Sequence, residues 1–154
     1  MKVSEILRVK GAALYTVSPD DTLQRAAKMM SEMDIGSVVV MEHGDLAGML
    51  TFRELIQALM AKGGALGDTI VRTVMDDHPL TCTPETDIDE VRRMMLGRHA
   101  RYLPVLDGRA LHGVISFHDV AKAVVDSQDF ENRMLKAYIR DWPSDHDAAA
   151  QQQQ

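Results

Sequence analysis

The chain repeats itself, and this limits its fold more than any other feature. Shifted by 65 positions, residues 16–59 fall on residues 81–124 without a gap. Thr16 meets Thr81, Pro19 meets Pro84, Met29-Met30 meets Met94-Met95, and Val40 meets Val105. Leu46 meets Leu111, Gly48 meets Gly113, Phe52 meets Phe117, and Ala58 meets Ala123. Conservative pairs lie between these identities: Leu50 with Ile115, Thr51 with Ser116, Glu54 with Asp119. Upstream, Val3–Leu7 corresponds to Val71–Met75 at an offset of 68, so the first copy carries three extra residues near Val9-Lys10-Gly11. Self-similarity of this length points to one supersecondary unit used twice.

Each copy has the same pattern. A short extended piece (Leu14–Val17; Leu80–Thr83) meets Ser18-Pro19-Asp20 or Thr83-Pro84-Glu85, where proline and acidic residues favour a turn and a helix start. An amphipathic helix follows, with Leu23, Ala26, Ala27, Met30 and Met33 on one face and Ile88, Val91, Met94 and Met95 as counterparts. Two hairpins are expected next, Ser37–Met41 with Leu46–Leu50 and Tyr102–Leu106 with Leu111–Ile115. Their turns fall at His43-Gly44-Asp45 and Asp107-Gly108-Arg109. A second helix closes each copy, Phe52–Met60 and Phe117–Val125. The fold class is α/β (α+β), with the order β-α-β-β-α twice. A copy of about 60 residues buries too little apolar surface to stand comfortably alone, so the two are expected to pack on each other.

The boundaries read as a first repeat over residues 1–62, a glycine-bearing linker over 63–70 and a second repeat over 71–126. Phe130, Met134, Leu135, Tyr138 and Ile139 recur at helical spacing, which predicts a separate amphipathic helix over 127–143, ended by Trp142-Pro143. That helix has three candidate roles: packing back on the repeats, covering a dimer interface, or docking a partner. Residues 144–154, with three alanines and four glutamines at the end, read as a disordered tail.

The 154 residues are 45% hydrophobic and 26% charged, as in ordinary globular proteins. No apolar run approaches the ~18 residues of a membrane span. The first residues, Met1-Lys2-Val3-Ser4-Glu5, do not look like a secretory signal. One cysteine, Cys82, allows no internal disulfide, and a cytoplasmic setting is expected. A net charge of −6 argues against binding a phosphate backbone, so no nucleic acid and no membrane partner is expected. The six histidines lack metal-ligand spacing, and no nucleophile constellation or glycine-rich phosphate loop is present. Cys82 reads as a small buried hydrophobe, and the methionine pairs as packing residues.

The segments Gly48-Met49-Leu50-Thr51-Phe52-Arg53-Glu54 and Gly113-Val114-Ile115-Ser116-Phe117-His118-Asp119 resemble the CBS-domain family, as does Arg101-Tyr102-Leu103-Pro104-Val105. The resemblance covers roughly residues 1–125. It implies two CBS repeats packed with pseudo-twofold symmetry, two clefts between them, and pairing into a homodimer. It also implies a non-catalytic regulatory module that binds AMP, ADP, ATP, NAD or S-adenosylmethionine on behalf of a regulated partner protein. A ligand-free structural or dimerisation module is the alternative.

Ser116 and Asp119 match the family's ribose-binding pair. A carboxylate in the first turn of a helix can accept both hydroxyls of a ribose diol, and the helix start favours anions. The same resemblance assigns Arg101 and His118 to phosphate, with Arg53 as their first-copy counterpart. It builds a base slot from Val114, Tyr102, Thr16, Val17 and Ala26, with Gly36 and Ser37 admitting close backbone approach. Thr51 and Glu54 are the first-copy equivalents of the ribose pair. Thr-x-x-Glu is also a capping box, which only stabilises a helix start. Because the family prefers Asp where Glu54 stands, the second copy is expected to hold the stronger nucleotide site.

Overall fold

The protein is described by a computed structural model covering residues 1–11 and 13–141. Its elements are α1 (Val3–Lys10), β1 (Thr16–Val17), α2 (Leu23–Met33), β2 (Ser37–Glu42), β3 (Asp45–Thr51) and α3 (Phe52–Ala61). They continue with a single 3-10 turn (Val71–Thr73), α4 (Ile88–Arg98), β4 (Tyr102–Asp107), β5 (Ala110–Ser116) and α5 (Phe117–Asp141). The chain divides into two compact units, Met1–Phe117 and a second that begins at His118.

Within the first unit, local chemistry explains each element of the repeat. The Thr22 hydroxyl accepts the Arg25 N–H at 3.1 Å and starts α2, and Asp34, at φ 53°, ends it in the left-handed region. Leu23, Ala26 and Met30 fall on one stripe and are buried, whereas Met33, in the last turn before the chain leaves the helix, is exposed. Burying Leu23 or Met30 stabilises the fold by about 1.5–3 kcal/mol each. β2 and β3 pair antiparallel through a two-residue turn at His43-Gly44, both with positive φ, as the right-handed twist of a tight hairpin requires. In the second hairpin Gly108 supplies the positive φ. The repeat extends to an irregularity, since the register slips after Val40 in one hairpin and after Val105 in the other. These residues are equivalent under the 65-residue shift.

The extended pieces are shorter than expected. Thr16 and Val17 pair in parallel with Val39 and Val40, giving a three-stranded sheet ordered β1-β2-β3. In the second copy only Cys82 bridges, to Val105, so β4 and β5 form a two-stranded sheet.

The halves exchange their leading segments. Met49 and Asp76 trade backbone hydrogen bonds, each 2.9 Å, which lays the start of the second copy along β3 of the first. Val71 is fully buried in the first-copy core with Leu23, Met30, Val38, Val40 and Leu50. Reciprocally, α1 packs on β5, and the Val3 and Ser4 amides donate to the carbonyls of Thr86 and Pro84 at 3.0 and 2.9 Å. Glycines permit both contacts. A Cβ on Gly48 would lie 2.5 Å from the Asp76 carbonyl oxygen, and one on Gly113 would lie 3.0 Å from Leu7. At the far end Arg109 joins the hairpin tips through two bonds to Asp45, at 2.6 and 2.8 Å.

The linker reading holds for Gly63, Gly64 and Gly67, all at positive φ, but not for its end. There the Leu23 amide donates to Thr69 O at 2.8 Å, and Ile70 bridges Thr22. The expected break between a closing helix at Val125 and a separate helix from 127 is corrected. α5 is one helix of 25 residues, because no glycine or proline interrupts it. Its Phe130, Met134, Leu135, Tyr138 and Ile139 are exposed. No helix among the described residues is long and apolar enough to cross a membrane. Trp142-Pro143 and the tail lie outside the described residues.

Gly48→Ala is expected to destabilise the protein by about 1–3 kcal/mol, as crowding of a packed site does. Gly97→Ala, in α4 with nothing within 4 Å of its Cβ, should instead stabilise it by about 0.5–1 kcal/mol. Denaturant melts of the two variants check both signs.

Candidate functional site

Where β3 ends and α3 begins, Thr51 caps the helix. Its hydroxyl oxygen accepts the Arg53 N–H at 3.2 Å, and Glu54 reaches back to accept the Thr51 N–H at 3.1 Å. The Thr51 hydroxyl also lies 3.0 Å from each Glu54 carboxylate oxygen. Glu54 is buried, at 9% exposure, and loss of hydration raises its pKa above the ordinary carboxylate value. The Thr51 hydrogen bonds pull the other way and offset this only in part. The capping-box reading of this pair is therefore what the geometry realises.

This junction forms one wall of a cavity of about 580 Å³ inside the first unit. The opposite wall comes from the second copy: His78, Pro79 and Leu80 ahead of α4, and Arg98 to Tyr102 behind it. Its size suits a small ligand. Arg53 spans the opening and donates to the His99 carbonyl at 2.8 Å. Tyr102 leans across to Gly36, so closely that a Cβ there would sit 2.0 Å from the tyrosine oxygen. The close approach expected at Gly36 is thus made by a side chain of the protein.

Gly36, Thr51, Arg53, Glu54, Arg101 and Tyr102 gather here. The sequence reading grouped Arg101 and Tyr102 with the second-copy site; in the structure they line the first-copy cavity. The reason is the pairing of strands. Tyr102 opens β4 beside Ser116 but faces away toward Gly36, just as Ser37 opens β2 beside Thr51. Ala26 is fully buried on the inward stripe of α2, and Val17 belongs to the same core. Thr16 is exposed and Ser37 half-buried. Val114 and Ser116 are half-buried on β5, and the Val114 carbonyl accepts the Lys10 ammonium at 2.9 Å. His118 (exposed) and Asp119 (half-buried) stand in the first turn of α5.

Sequence reasoning missed His78, Leu80, Asp76, Phe52 and Ile56 on the cavity wall, and Lys10 beside Val114. A signal existed for Leu80, because the 65-residue shift carries Tyr15, the neighbour of Thr16, onto it. Among the described residues no group of three or more His, Cys, Asp or Glu side chains is placed to hold a metal. Cys82 is buried, and desolvation pushes its thiol up to about 12.

Comparison with known proteins finds the CBS-domain family pattern over residues 3–61 and again over 71–126. The CBS-domain-containing protein ATU1752 from Agrobacterium tumefaciens is 32% identical, with a TM-score of 0.76 over 80% of this chain and 98% of that one. Two more distant folds were solved with ligands. The CBS domain pair of MJ0100, with 5-methylthioadenosine and S-adenosyl-L-methionine, is 21% identical, with a TM-score of 0.72 over 82% of this chain and 98% of that one. CBSX2 with AMP is 22% identical, with a TM-score of 0.67 over 82% of this chain and 98% of that one.

Two measurements check the site's chemistry. In Glu54→Gln the capping bonds are kept and the buried charge is removed. Because the folded pKa of Glu54 is raised, the stability of the wild type relative to this variant should fall as pH rises from 4.5 toward neutrality. Paired melts at several pH values read this directly, and a rising difference would contradict it. Cys82, with a thiolate fraction of about one in ten thousand at pH 8, should resist a disulfide reagent in the native protein and react fully once unfolded.

Proposed function

Since the chain belongs to the CBS-domain family, which its pattern matches twice, we propose that it is a non-catalytic regulatory module that binds an adenine nucleotide, AMP, ADP, ATP or NAD. The observation that carries this reading is the second-copy junction. Ser116 ends β5, and Asp119 follows in the first turn of α5, at the backbone position where Thr51 and Glu54 stand in the first copy. By the family resemblance Asp119 is assigned the ribose hydroxyls, and Ser116 supports it. The family resemblance also assigns Thr16, Ser37, Val114 and His118 to nucleotide binding. The ligands of MJ0100 and CBSX2 support an adenosine-bearing class.

Binding acts on a partner only through unequal affinity for two arrangements of the protein. The arrangement we propose is a homodimer that places the nucleotide signal before a regulated protein in the cytoplasm. Phe52, Ile56 and Met60 form an exposed apolar stripe at successive turns of α3, and a self-association surface there also suits the ligand-free reading.

Asp119→Ala should weaken AMP about 10- to 150-fold for each charge-assisted hydrogen bond lost, whereas Glu54→Gln should leave it unchanged. Calorimetry on the full chain decides, and equal affinity in Asp119→Ala would remove the assignment. Ile56→Asp should convert the dimer to monomer in sedimentation velocity. A wild type that sediments as a monomer would end the dimer proposal.

A further inference from the structure

α5 runs for 25 residues, and from Ala121 onward it lies wholly within the second unit. Along it Ala121, Val125, Gln128, Asn132, Leu135 and Ile139 follow one another at steps of four, three, four, three and four. A period of about 3.5 residues keeps all six on one side of the helix, as the seam of a coiled coil requires. All six are exposed. In heptad notation Val125, Asn132 and Ile139 take the a positions, and Ala121, Gln128 and Leu135 the d positions. β-Branched residues at a with leucine at d favour two parallel strands, and a single asparagine at a fixes their register.

The charges agree with that orientation. Glu131 stands on one flank of the seam and Lys136 on the other, five residues apart. Within one helix they point roughly 140° apart and cannot meet. In a parallel pair each Glu131 faces Lys136 of the second copy, which gives two ion pairs. An antiparallel pair with the same seam would instead bring Asp129 near Asp129 and Lys122 near Lys136. The seam also begins on a surface related to the α3 stripe, because the 65-residue shift carries Phe52, Ile56 and Met60 onto Phe117, Ala121 and Val125. Phe130 and Met134 are exposed on the far side of α5 and stay outside the seam.

We infer that α5 pairs with α5 of a second copy as a short parallel coiled coil over Ala121–Ile139. The inference rests on the homodimer reading and adds a second contact to the α3 stripe. The seam is shorter than the about three or four heptads of a self-sufficient coiled coil, so it strengthens the dimer without holding it alone.

Sedimentation equilibrium and thiol cross-linking on the full chain test this. Glu131→Lys should weaken the dimer about three- to tenfold, and Glu131→Lys/Lys136→Glu should restore wild-type affinity. Since the two residues cannot meet within one helix, the rescue reads a contact between copies. Cys82 is buried with its thiol pushed up to about 12, so an introduced cysteine is the reactive one. Under a mild thiol oxidant Ile139→Cys should link to its own counterpart, whereas Arg140→Cys, turned away from the seam, should not. In an antiparallel pair the two cysteines at 139 would lie roughly 27 Å apart and could not join. The inference is overturned if Glu131→Lys dimerises as the wild type does, if the double variant fails to restore affinity, or if Ile139→Cys does not cross-link. A dimer that Ile56→Asp breaks and Glu131→Lys leaves intact ends the coiled coil alone. A wild-type monomer ends both readings.

Discussion

The exchanged backbone pairing between Met49 and Asp76 is what turns two short repeats into one folded unit. A hairpin and two helices leave a sheet face open, and about 60 residues cannot cover it by themselves. Here the covering piece is supplied by the other copy. Val71 sits in the first core, and α1 lies on β5 with Leu7 against Gly113. A side chain at 48 would meet the Asp76 carbonyl, and one at 113 would crowd the Leu7 side chain, so glycine suits both positions. This crossing brings residues 76–80 and 98–102 of the second copy to the helix start of the first.

The same strand-to-helix junction occurs twice, with Glu54 in the first turn of α3 and Asp119 in the first turn of α5. At Thr51 the extra methylene of Glu54 lets the carboxylate return to its own cap, so the acid serves the helix and is buried. Burial raises its pKa, the reverse of what a carboxylate held ready for a ligand's hydroxyls would favour.

Charge is distributed with similar economy. The acidic surface is organised by bonds such as Arg109 with Asp45 and Arg72 with Glu42 and Asp20, which tie turns together at exposed positions. Arg98 and Arg101 stand apart from that network and face the cavity. Exposed pairs contribute little to stability.

The sequence by itself determined the repeat, the order of elements, the hairpin turns and the buried stripes, because these depend on periodicity and on residues that act locally. Leu23, Ala26 and Met30 announce their face, and His43-Gly44 announces its turn. It also determined that Thr51 and Glu54 form a capping box, a bond between neighbours in the chain. Only the tertiary structure decided which wall Arg101 and Tyr102 belong to and that Tyr102 fills the space over Gly36. Those facts join residues dozens of positions apart, and they are set by how one copy packs across the other. The continuity of α5 shows the same limit from the opposite side: a change in apolar pattern near Asp126 looked like a boundary, yet nothing in the backbone chemistry there obliges a helix to stop.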